Sequence, residues 1–358
     1  MPLEIKPNIV VSRCFFEPVR YNGVTTPNPL VDGLKEHANL FPVCPEMEIG
    51  LGAPRIPVRL VQSGDSLHMV QLKTELDMTE KISSFGSNFL KGLKDVDGFI
   101  LKSKSPSCGI SGVKVYLSTE KNPPVKKGSG LFGGMVKDTF PLVPVESESR
   151  IMEPDIRDSF LRSVFALAEL RNAVQEIRKP GDLVEFHTRF KLTLMAFSQK
   201  HMRSLGRIVA NHERLPLMQV LDRYGTAFRE TFSGRITRKN HINVLLHAFG
   251  YFSPGITGQG KKRFLSMLER YKNGDVPLAL VLEMTRVYIS GNGKEYLGGQ
   301  RYFEPYPEDL LYKCHRAGYT TPTLGTHSAP VAGTHSAPPS GRHSAPVVGT
   351  HAAPPAGT

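Results

Sequence analysis

Residues Ile9-Val10-Val11-Ser12-Arg13-Cys14 join a short apolar run to a cysteine in the loop that follows it. The same arrangement recurs at Asn39 to Val43 with Cys44, and at Gly98 to Leu101 with Cys108. Each run has the length and apolar character of a buried strand. Because the loops that leave the carboxyl ends of parallel strands converge on one crevice, we expect the three thiols to meet at one point of an α/β fold.

Three converging thiolates hold a soft metal ion or an iron–sulfur cluster and leave one coordination position open. The loops Cys44-Pro45-Glu46 and Ser105-Pro106-Ser107-Cys108-Gly109 indicate irregular backbone rather than strand interior. Cysteine is also a common core residue, and no C-x-x-C pair is present, so a purely structural role is the alternative. Cys314 lies far along the chain in a different kind of sequence and is not needed for this site.

Residues 1–150 predict an α/β domain in which strands alternate with helices. Such alternation favours a mostly parallel sheet of the Rossmann-like or flavodoxin-like kind. The glycine-rich stretch from Gly128 to Gly134 is predicted as a loop, because it carries no G-x-G-x-x-G pattern. Further strands are predicted at Leu67 to Gln71, Val113 to Tyr116 and Pro141 to Val145, and helices at Pro29 to Leu40 and Thr79 to Leu93.

Residues 151–322 change to a helical pattern, in which apolar residues such as Phe186, Phe190, Leu194 and Phe197 recur near the helical period. The pattern predicts an all-α domain of six or more helices. The histidines of this segment have no H-E-x-x-H spacing and are interpreted as packing or RNA-facing residues.

The positive charge of the chain is concentrated in this second segment. The net charge is +12; residues 1–150 carry 18 Lys and Arg against 16 Asp and Glu, whereas residues 151–322 carry 26 against 17. A basic domain beside a nearly neutral one favours a surface for a polyanion such as RNA, the alternative being an ordinary solvated helical surface. Nearby aromatics such as Tyr224, Phe232 and Tyr251 either stack on bases or belong to the core. The candidate RNA contacts are Arg203, Arg207, Lys261, Lys262 and Arg263.

Residues 323–358 form a low-complexity tail in which His327, His335, His343 and His351 recur with a period of eight. Its Pro, Gly, Ala and Ser content cannot bury a core, so we expect a disordered tail, with weak metal binding as the alternative. The chain has no apolar run of membrane-spanning length, and its start lacks the apolar region of a signal peptide. We therefore expect a cytoplasmic protein, in which four cysteines serve thiol or metal chemistry rather than disulfides.

Residues 8–148 resemble the thiouracil desulfidase family, because several short motifs occur in the family's order. The stretch that follows, to about residue 322, resembles a bacterial domain of formerly unknown function that is found fused behind desulfidase domains. The motifs are Val11-Ser12-Arg13-Cys14, Val19-Arg20-Tyr21-Asn22-Gly23, Cys44-Pro45-Glu46, Gly50-Leu51-Gly52-Ala53-Pro54-Arg55, Pro57-Val58-Arg59-Leu60 and Lys104-Ser105-Pro106-Ser107-Cys108-Gly109.

The resemblance implies a 4Fe-4S cluster held by Cys14, Cys44 and Cys108, with one iron open to the sulfur of a thiolated uracil. It also implies that Glu46 activates water or moves a proton, the alternative being an ion pair with Arg13, Arg55 or Arg59. Ser105 would hydrogen-bond the base or steer the water; otherwise it stabilises the turn before Pro106.

For the fused arrangement, the resemblance implies a non-redox desulfidase that converts 4-thiouridine in transfer RNA to uridine and releases hydrogen sulfide. The alternative substrate is free thiouracil or another small thiolated compound. Two further alternatives are a regulatory iron–sulfur protein that binds RNA without turnover and a structural zinc site, for which a fourth protein ligand is not evident.

Overall fold

The structure is a computed structural model that describes residues 5–291 and 295–312. The described residues belong to one compact unit. An α/β region comes first along the chain and a helical region follows it. Cys314 and the predicted repeat tail at residues 323–358 lie outside the described residues.

Eight strands of the α/β region form two four-stranded sheets, called sheet A and sheet B below. Sheet A has the order β2-β1-β5-β8 and all its pairs are parallel. Sheet B has the order β4-β3-β6-β7 and is mixed, because only β3 and β6 run parallel. The strands are β1 (Asn8–Ser12), β2 (Asn39–Val43), β3 (Val58–Ser63), β4 (Ser66–Gln71), β5 (Gly98–Leu101), β6 (Val113–Tyr116), β7 (Lys126–Gly128) and β8 (Val145–Ser147).

Within the described residues, four helices accompany these strands and nine follow in the helical region. Those of the α/β region are α1 (Pro29–Leu34), α2 (Pro45–Glu48), α3 (Thr79–Gly92) and α4 (Leu131–Thr139). The helical region contains α5 (Pro154–Glu176), α6 (Pro180–Phe197), α7 (Gln199–Ala210), α8 (Leu217–Phe232), α9 (Arg238–Phe252), α10 (Gly258–Asn273), α11 (Leu278–Gly291), α12 (Glu295–Gly298) and α13 (Asp309–Tyr312). Among the described residues, no helix has the length and apolar character needed to cross a membrane.

Local sequence signals set several helix ends. The Asn28 side chain accepts hydrogen bonds from the backbone N–H groups of Leu30 and Val31, and Pro29 occupies the first position of α1. The Thr257 side chain caps α10 in the same way, and α10 ends at Gly274, whose φ of +91° is left-handed. Glycine adopts that conformation without the steric cost that other residues incur.

Helix α5 joins the two regions, because its two halves pack into different cores. Phe160, Leu161, Val164 and Phe165 pack with β1 and β5 residues of the α/β core. Further along the helix, Ala166, Leu167 and Leu170 join the large core of the helical region. The long apolar surface of α5 is therefore covered on both sides, and fourteen of its residues are buried.

Buried polar contacts fasten the end of the helical region to α5. Arg162 donates to Asp158, with 2.7 Å from Nε to Oδ2, and to the carbonyl oxygen of Tyr302 at 2.8 Å. The Tyr306 hydroxyl donates to the other Asp158 oxygen at 2.7 Å. Burial lowers the pKa of the nearby His241 to about 3, so this histidine is neutral at pH 7. It packs against Tyr302, as expected for a core histidine.

The predicted fold class is confirmed, with a parallel sheet A and at least the six helices expected after it. Three local predictions differ from the structure. Helix α1 ends at Leu34 rather than Leu40, and the last strand begins at Val145 rather than Pro141. The strand β3 was not predicted. The predicted loop from Gly128 to Gly134 is wrong, because α4 begins at Leu131.

Replacing Arg162 by methionine tests the buried polar contacts that hold α5 to the segment with Tyr302 and Tyr306. The substitution leaves the Asp158 carboxylate buried without its cation, so the free energy of unfolding should fall by about 3–5 kcal/mol. Urea denaturation measures this change. Arg223→Met is the control, because Arg223 pairs with Glu213 on the surface and should change stability by less than about 1 kcal/mol. Equal effects of the two substitutions would contradict a structural role for Arg162.

Candidate metal centre

A cavity of about 430 Å³ lies at the carboxyl ends of three neighbouring strands of sheet A. Ser12 at the end of β1, Val43 at the end of β2 and Lys102 after β5 contribute to its wall. Cys14, Cys44 and Cys108 also line the cavity and are free thiols. The structure thus brings together the three cysteines that the sequence places in separate loops.

Each cysteine is held by a different kind of turn. Cys14 lies in a 3-10 turn, Arg13–Phe15, directly after β1. Cys44 precedes Pro45, the first residue of α2, and its carbonyl oxygen accepts from Met47 and Glu48. Cys108 lies in a tight turn in which its backbone N–H donates to the Ser105 hydroxyl at 3.1 Å.

Two glycines let α4 approach the Cys108 loop closely. A Cβ atom on Gly133 would lie 2.5 Å from the carbonyl oxygen of Gly109 and 2.6 Å from that of Cys108. A Cβ atom on Gly130 would lie 2.5 Å from the carbonyl oxygen of Ser107. Glycine disfavours a helix locally, but only glycine permits this contact, which explains why a glycine-rich sequence forms a helix here.

Burial raises the pKa of all three thiols. Burial, and next the neighbouring Cys44, raise the pKa of Cys14 to about 12. Burial also raises the pKa of Cys44, and it raises the pKa of Cys108 together with Cys44 and Glu46. The protein alone therefore favours three neutral thiols, whereas a bound cationic centre would stabilise the thiolates.

The spacing of the thiols distinguishes a cluster from a single ion. Among the described residues, the three sulfur atoms do not all lie within 4.8 Å of one another. Tetrahedral zinc holds its sulfur ligands about 2.3 Å from the metal and therefore about 3.8 Å from each other. In an iron–sulfur cluster each thiolate binds a different iron atom, so wider spacing is required. The donor set and its spacing fit a cluster better than structural zinc.

Glu46 is buried in the cavity wall between a cation and a hydroxyl. Its Oε2 accepts from Arg55, with 2.8 Å to Nε and 2.6 Å to Nη2. Its Oε1 accepts from the Ser107 hydroxyl at 2.6 Å. Arg55 is itself held by the carbonyl oxygens of Val19 and Gly52. The ion pair with Arg55 that the sequence offered as an alternative is present, and it orients one carboxylate oxygen while the other faces Ser107.

Ser105 lines the same cavity and stabilises its turn. Its hydroxyl oxygen accepts from the backbone N–H groups of Ser107 and Cys108 and lies 3.0 Å from the Ser107 hydroxyl oxygen. Ser107, which connects Ser105 to Glu46, was not predicted as a site residue from the sequence. The sequence feature that could have pointed to Ser107 is its place as the second serine of Ser-Pro-Ser-Cys. Only the fold shows that Ser107 binds Glu46, which is 61 positions away along the chain.

Charged side chains at the cavity wall are partly neutralised by carboxylates. Lys102 forms an ion pair with Glu148, which also accepts from the Ser103 backbone and hydroxyl. Arg13 pairs with Glu48 at the end of α2. The first contact ties the segment between β5 and Cys108 to the segment after β8, and the second ties the Cys14 loop to α2.

The predicted RNA contacts lie in two places on the helical region, and none lines the cavity. Arg203 and Arg207 are exposed on α7, and Lys262 and Arg263 are exposed on α10 beside the half-buried Lys261. Within the described residues, none of these five side chains forms a hydrogen bond or an ion pair. Among the aromatics, Tyr224 and Phe232 are buried in the core, which excludes them from base stacking, whereas Tyr251 is 39% exposed.

Comparison with protein families matches residues 9–148 to the family described as 2-thiouracil desulfurase. Residues 191–307 match the family described as protein of unknown function DUF1722. The uncharacterized protein YbgA of Escherichia coli strain K12 is 34% identical over 154 residues, which cover 42% of this chain and 89% of YbgA.

A solved structure of the [4Fe-4S]-dependent thiouracil desulfidase TudS is 27% identical to this chain and has a TM-score of 0.34. The match covers 41% of this chain and 95% of TudS. The two family matches lie in separate segments, so the chain contains a 2-thiouracil desulfurase family domain at residues 9–148 followed by a DUF1722 family domain at residues 191–307.

Proposed function

We propose that this protein is an iron–sulfur-dependent desulfidase that converts 4-thiouridine in transfer RNA to uridine and releases hydrogen sulfide. The observation that carries the proposal is the convergence of three buried thiols and the Glu46 carboxylate in one cavity. The match to the 2-thiouracil desulfurase family supports a thiolated pyrimidine as the reacting group. In this proposal residues 1–150 perform the reaction and residues 151–322 dock the RNA.

Cys14, Cys44 and Cys108 would hold the cluster. A [4Fe-4S] cluster bound by three thiolates supplies one iron without a protein ligand, a Lewis acid that prefers soft sulfur to oxygen. An oxygen-sensitive group of this kind suits a reducing compartment, so we place the protein in the cytoplasm.

The reaction exchanges sulfur for oxygen without net electron transfer. Water adds its oxygen to C4 of the base, the carbon–sulfur bond breaks, and sulfur leaves with two protons as hydrogen sulfide. The protein must therefore remove a proton from water and supply protons to the departing sulfur.

Glu46 is the group that accepts the proton from water. Arg55 holds Oε2, so Oε1 is the oxygen that exchanges the proton. The Ser107 hydroxyl releases Oε1 when its proton rotates away from the carboxylate. The Ser105 hydroxyl proton is then available to the base, because the Ser105 oxygen already accepts two backbone N–H groups.

Free thiouracil is the second candidate substrate, because the family match to the α/β region is to a 2-thiouracil desulfurase. The cavity volume of about 430 Å³ admits either a free base or the base of a nucleotide. The excess charge of residues 151–322, 26 basic against 17 acidic side chains, favours the RNA substrate.

Replacing Cys44 by serine tests the cluster. After anaerobic reconstitution with iron and sulfide, the variant should hold much less iron per chain than the wild type, because serine is a poor ligand for iron. Cys314→Ser is the matched control and should keep the wild-type iron content. Full iron in Cys44→Ser, or equal losses in both variants, would refute the proposed ligand set.

Replacing Glu46 by glutamine tests proton transfer. Glutamine keeps a hydrogen-bond acceptor for Arg55 but cannot take a proton, so kcat should fall by about 10²–10⁴-fold with iron content unchanged. Loss of the thiocarbonyl absorbance of the substrate measures kcat. Glu80→Gln, at an exposed position of α3 that does not line the cavity, should retain activity. If Glu46→Gln turned over like the wild type, proton transfer by Glu46 would be wrong.

Reversing the charges of Arg203, Arg207, Lys262 and Arg263 to glutamate tests RNA docking by the helical region. Binding of thiolated transfer RNA should weaken, and the logarithm of its affinity should depend less steeply on salt, because fewer counterions are released. Turnover of free 4-thiouracil should remain at the wild-type level. An unchanged RNA affinity and salt slope would show that these four side chains do not contact RNA.

A further inference from the structure

Sheet B has one face in the core and one face that carries cations. Leu60, Met69 and Val115 point inward and pack with Ile82 of α3. Side chains one position along each strand point to the opposite face. There Lys114 and Lys127 are exposed, and Arg59 is half-buried.

Strand register places three cations side by side. Lys114 of β6 is directly opposite Lys127 of β7. On the other side of β6, Leu60 of β3 pairs with Val115 in parallel, so Arg59 is the neighbour of Lys114. We call Arg59, Lys114 and Lys127 the cation row. Like charges that face each other across strands destabilise a sheet, so this alignment calls for a compensating partner.

Protection of an exposed edge does not account for the cation row. Lysine on an edge strand prevents pairing with other chains, which explains Lys127 on β7. Strands β3 and β6 both lie inside sheet B, however, with neighbours on each side. Arg59 and Lys114 therefore need a different explanation.

The planar guanidinium group of Arg59 is held in place by its neighbours. Its guanidinium lies 3.9 Å from the ring centroid of Tyr116, and its Nη1 donates to the Glu120 carbonyl oxygen at 2.6 Å. Carbonyl oxygens orient the group without neutralising its charge. A guanidinium plane held in this way stacks on an unpaired base, as arginine does in RNA recognition.

Three carboxylates lie near the cation row and form no ion pair with it within the described residues; one of them, Glu120, contacts Arg59 only through its carbonyl oxygen. Asp77 pairs with His68 of β4, at the far edge of the sheet, and Glu75 accepts from the Thr119 hydroxyl. Within the described part of the chain, Arg59, Lys114 and Lys127 form no ion pair. The cation row therefore offers uncompensated positive charge to a polyanion.

The cation row borders the metal-centre cavity. Val58, which lines the cavity, directly precedes Arg59 on β3. The same register places Val113 of β6 beside Val58, so the cation row is the second row of residues from that end of sheet B. The cation row therefore lies one residue along the strands from the cavity wall at Val58, on the opposite face of sheet B.

We propose that the cation row binds the phosphodiester backbone of single-stranded RNA beside the reacting nucleotide, with one base stacked on Arg59. The identity of that nucleotide rests on the proposed function, but binding of RNA to sheet B does not. This second contact lies in the α/β region, separate from the basic side chains of α7 and α10.

The test is binding of a fluorescently labelled single-stranded RNA to the full chain, measured by anisotropy at several salt concentrations. The double variant Lys114→Gln, Lys127→Gln should raise Kd on the order of tenfold at low salt. Each lost phosphate contact should lower the slope of log Kd against log salt by about 0.7, so the loss of both lysines should lower it by about 1.4. An unchanged Kd and slope would overturn the proposal.

Lys81→Gln, Lys91→Gln is the matched control, because both lysines are exposed on α3, which packs against the opposite face of sheet B. This variant has the same net charge and should bind RNA like the wild type. Equal weakening in both double variants would overturn the proposal, since net charge rather than the cation row would then govern binding.

Turnover measurements distinguish a failure of this inference from a failure of the proposed function. The Lys114→Gln, Lys127→Gln variant should retain the wild-type kcat for free 4-thiouracil, which shows that it is folded, while KM for thiolated transfer RNA rises. A wild-type protein that desulfurises neither substrate would refute the proposed function, and the anisotropy measurement would still decide whether the cation row binds RNA.

Discussion

The burial of three thiols at one end of a parallel sheet is the constraint on which the rest of the site depends. Desolvation raises the pKa of each thiol, so the apoprotein holds them as neutral groups in contact with apolar core. A cationic centre reverses this preference, because it converts an unfavourable set of buried thiolates into ligands. The tight turns around the cysteines, the close approach of α4 and the Arg55–Glu46 pair all serve to hold this cavity in shape.

Helix α5 contributes residues to the core of the α/β region and to the core of the helical region. One half of the helix completes the core beneath the cysteine loops, and the other half belongs to the helical bundle. Arg171 of the same helix binds Asp97 at the start of β5, and Arg235 binds Glu146 of β8. These two basic side chains therefore pair with carboxylates of the α/β region and connect the two regions. The role of a basic cluster can therefore be assigned only when the ion-pair partners of its side chains are known.

Local patterns predicted the strand-and-cysteine units, most of the helices and the change from α/β to helical sequence. Short apolar runs and capping residues act over a few positions, so a sequence reveals them directly. Helix α4 was not predicted because its glycines disfavour a helix locally. The helix is stabilised instead by packing against the Cys108 loop, which is a tertiary contact. The strand β3 was not predicted although Val58-Arg59-Leu60 alternates in polarity, because Pro54 and Pro57 directly before it are typical of a loop.

The sequence by itself identified Cys14, Cys44, Cys108, Glu46 and Ser105 as candidate site residues, since cysteine, glutamate and serine in such loops are recognisable without knowledge of the fold. Only the tertiary structure decided which partners they meet. Arg55 rather than Arg13 or Arg59 binds Glu46, Ser107 reaches its second oxygen, and Arg59 aligns with Lys114 and Lys127. These pairings depend on strand register and on close approach between distant segments, and both are set by the burial of the whole core rather than by local sequence.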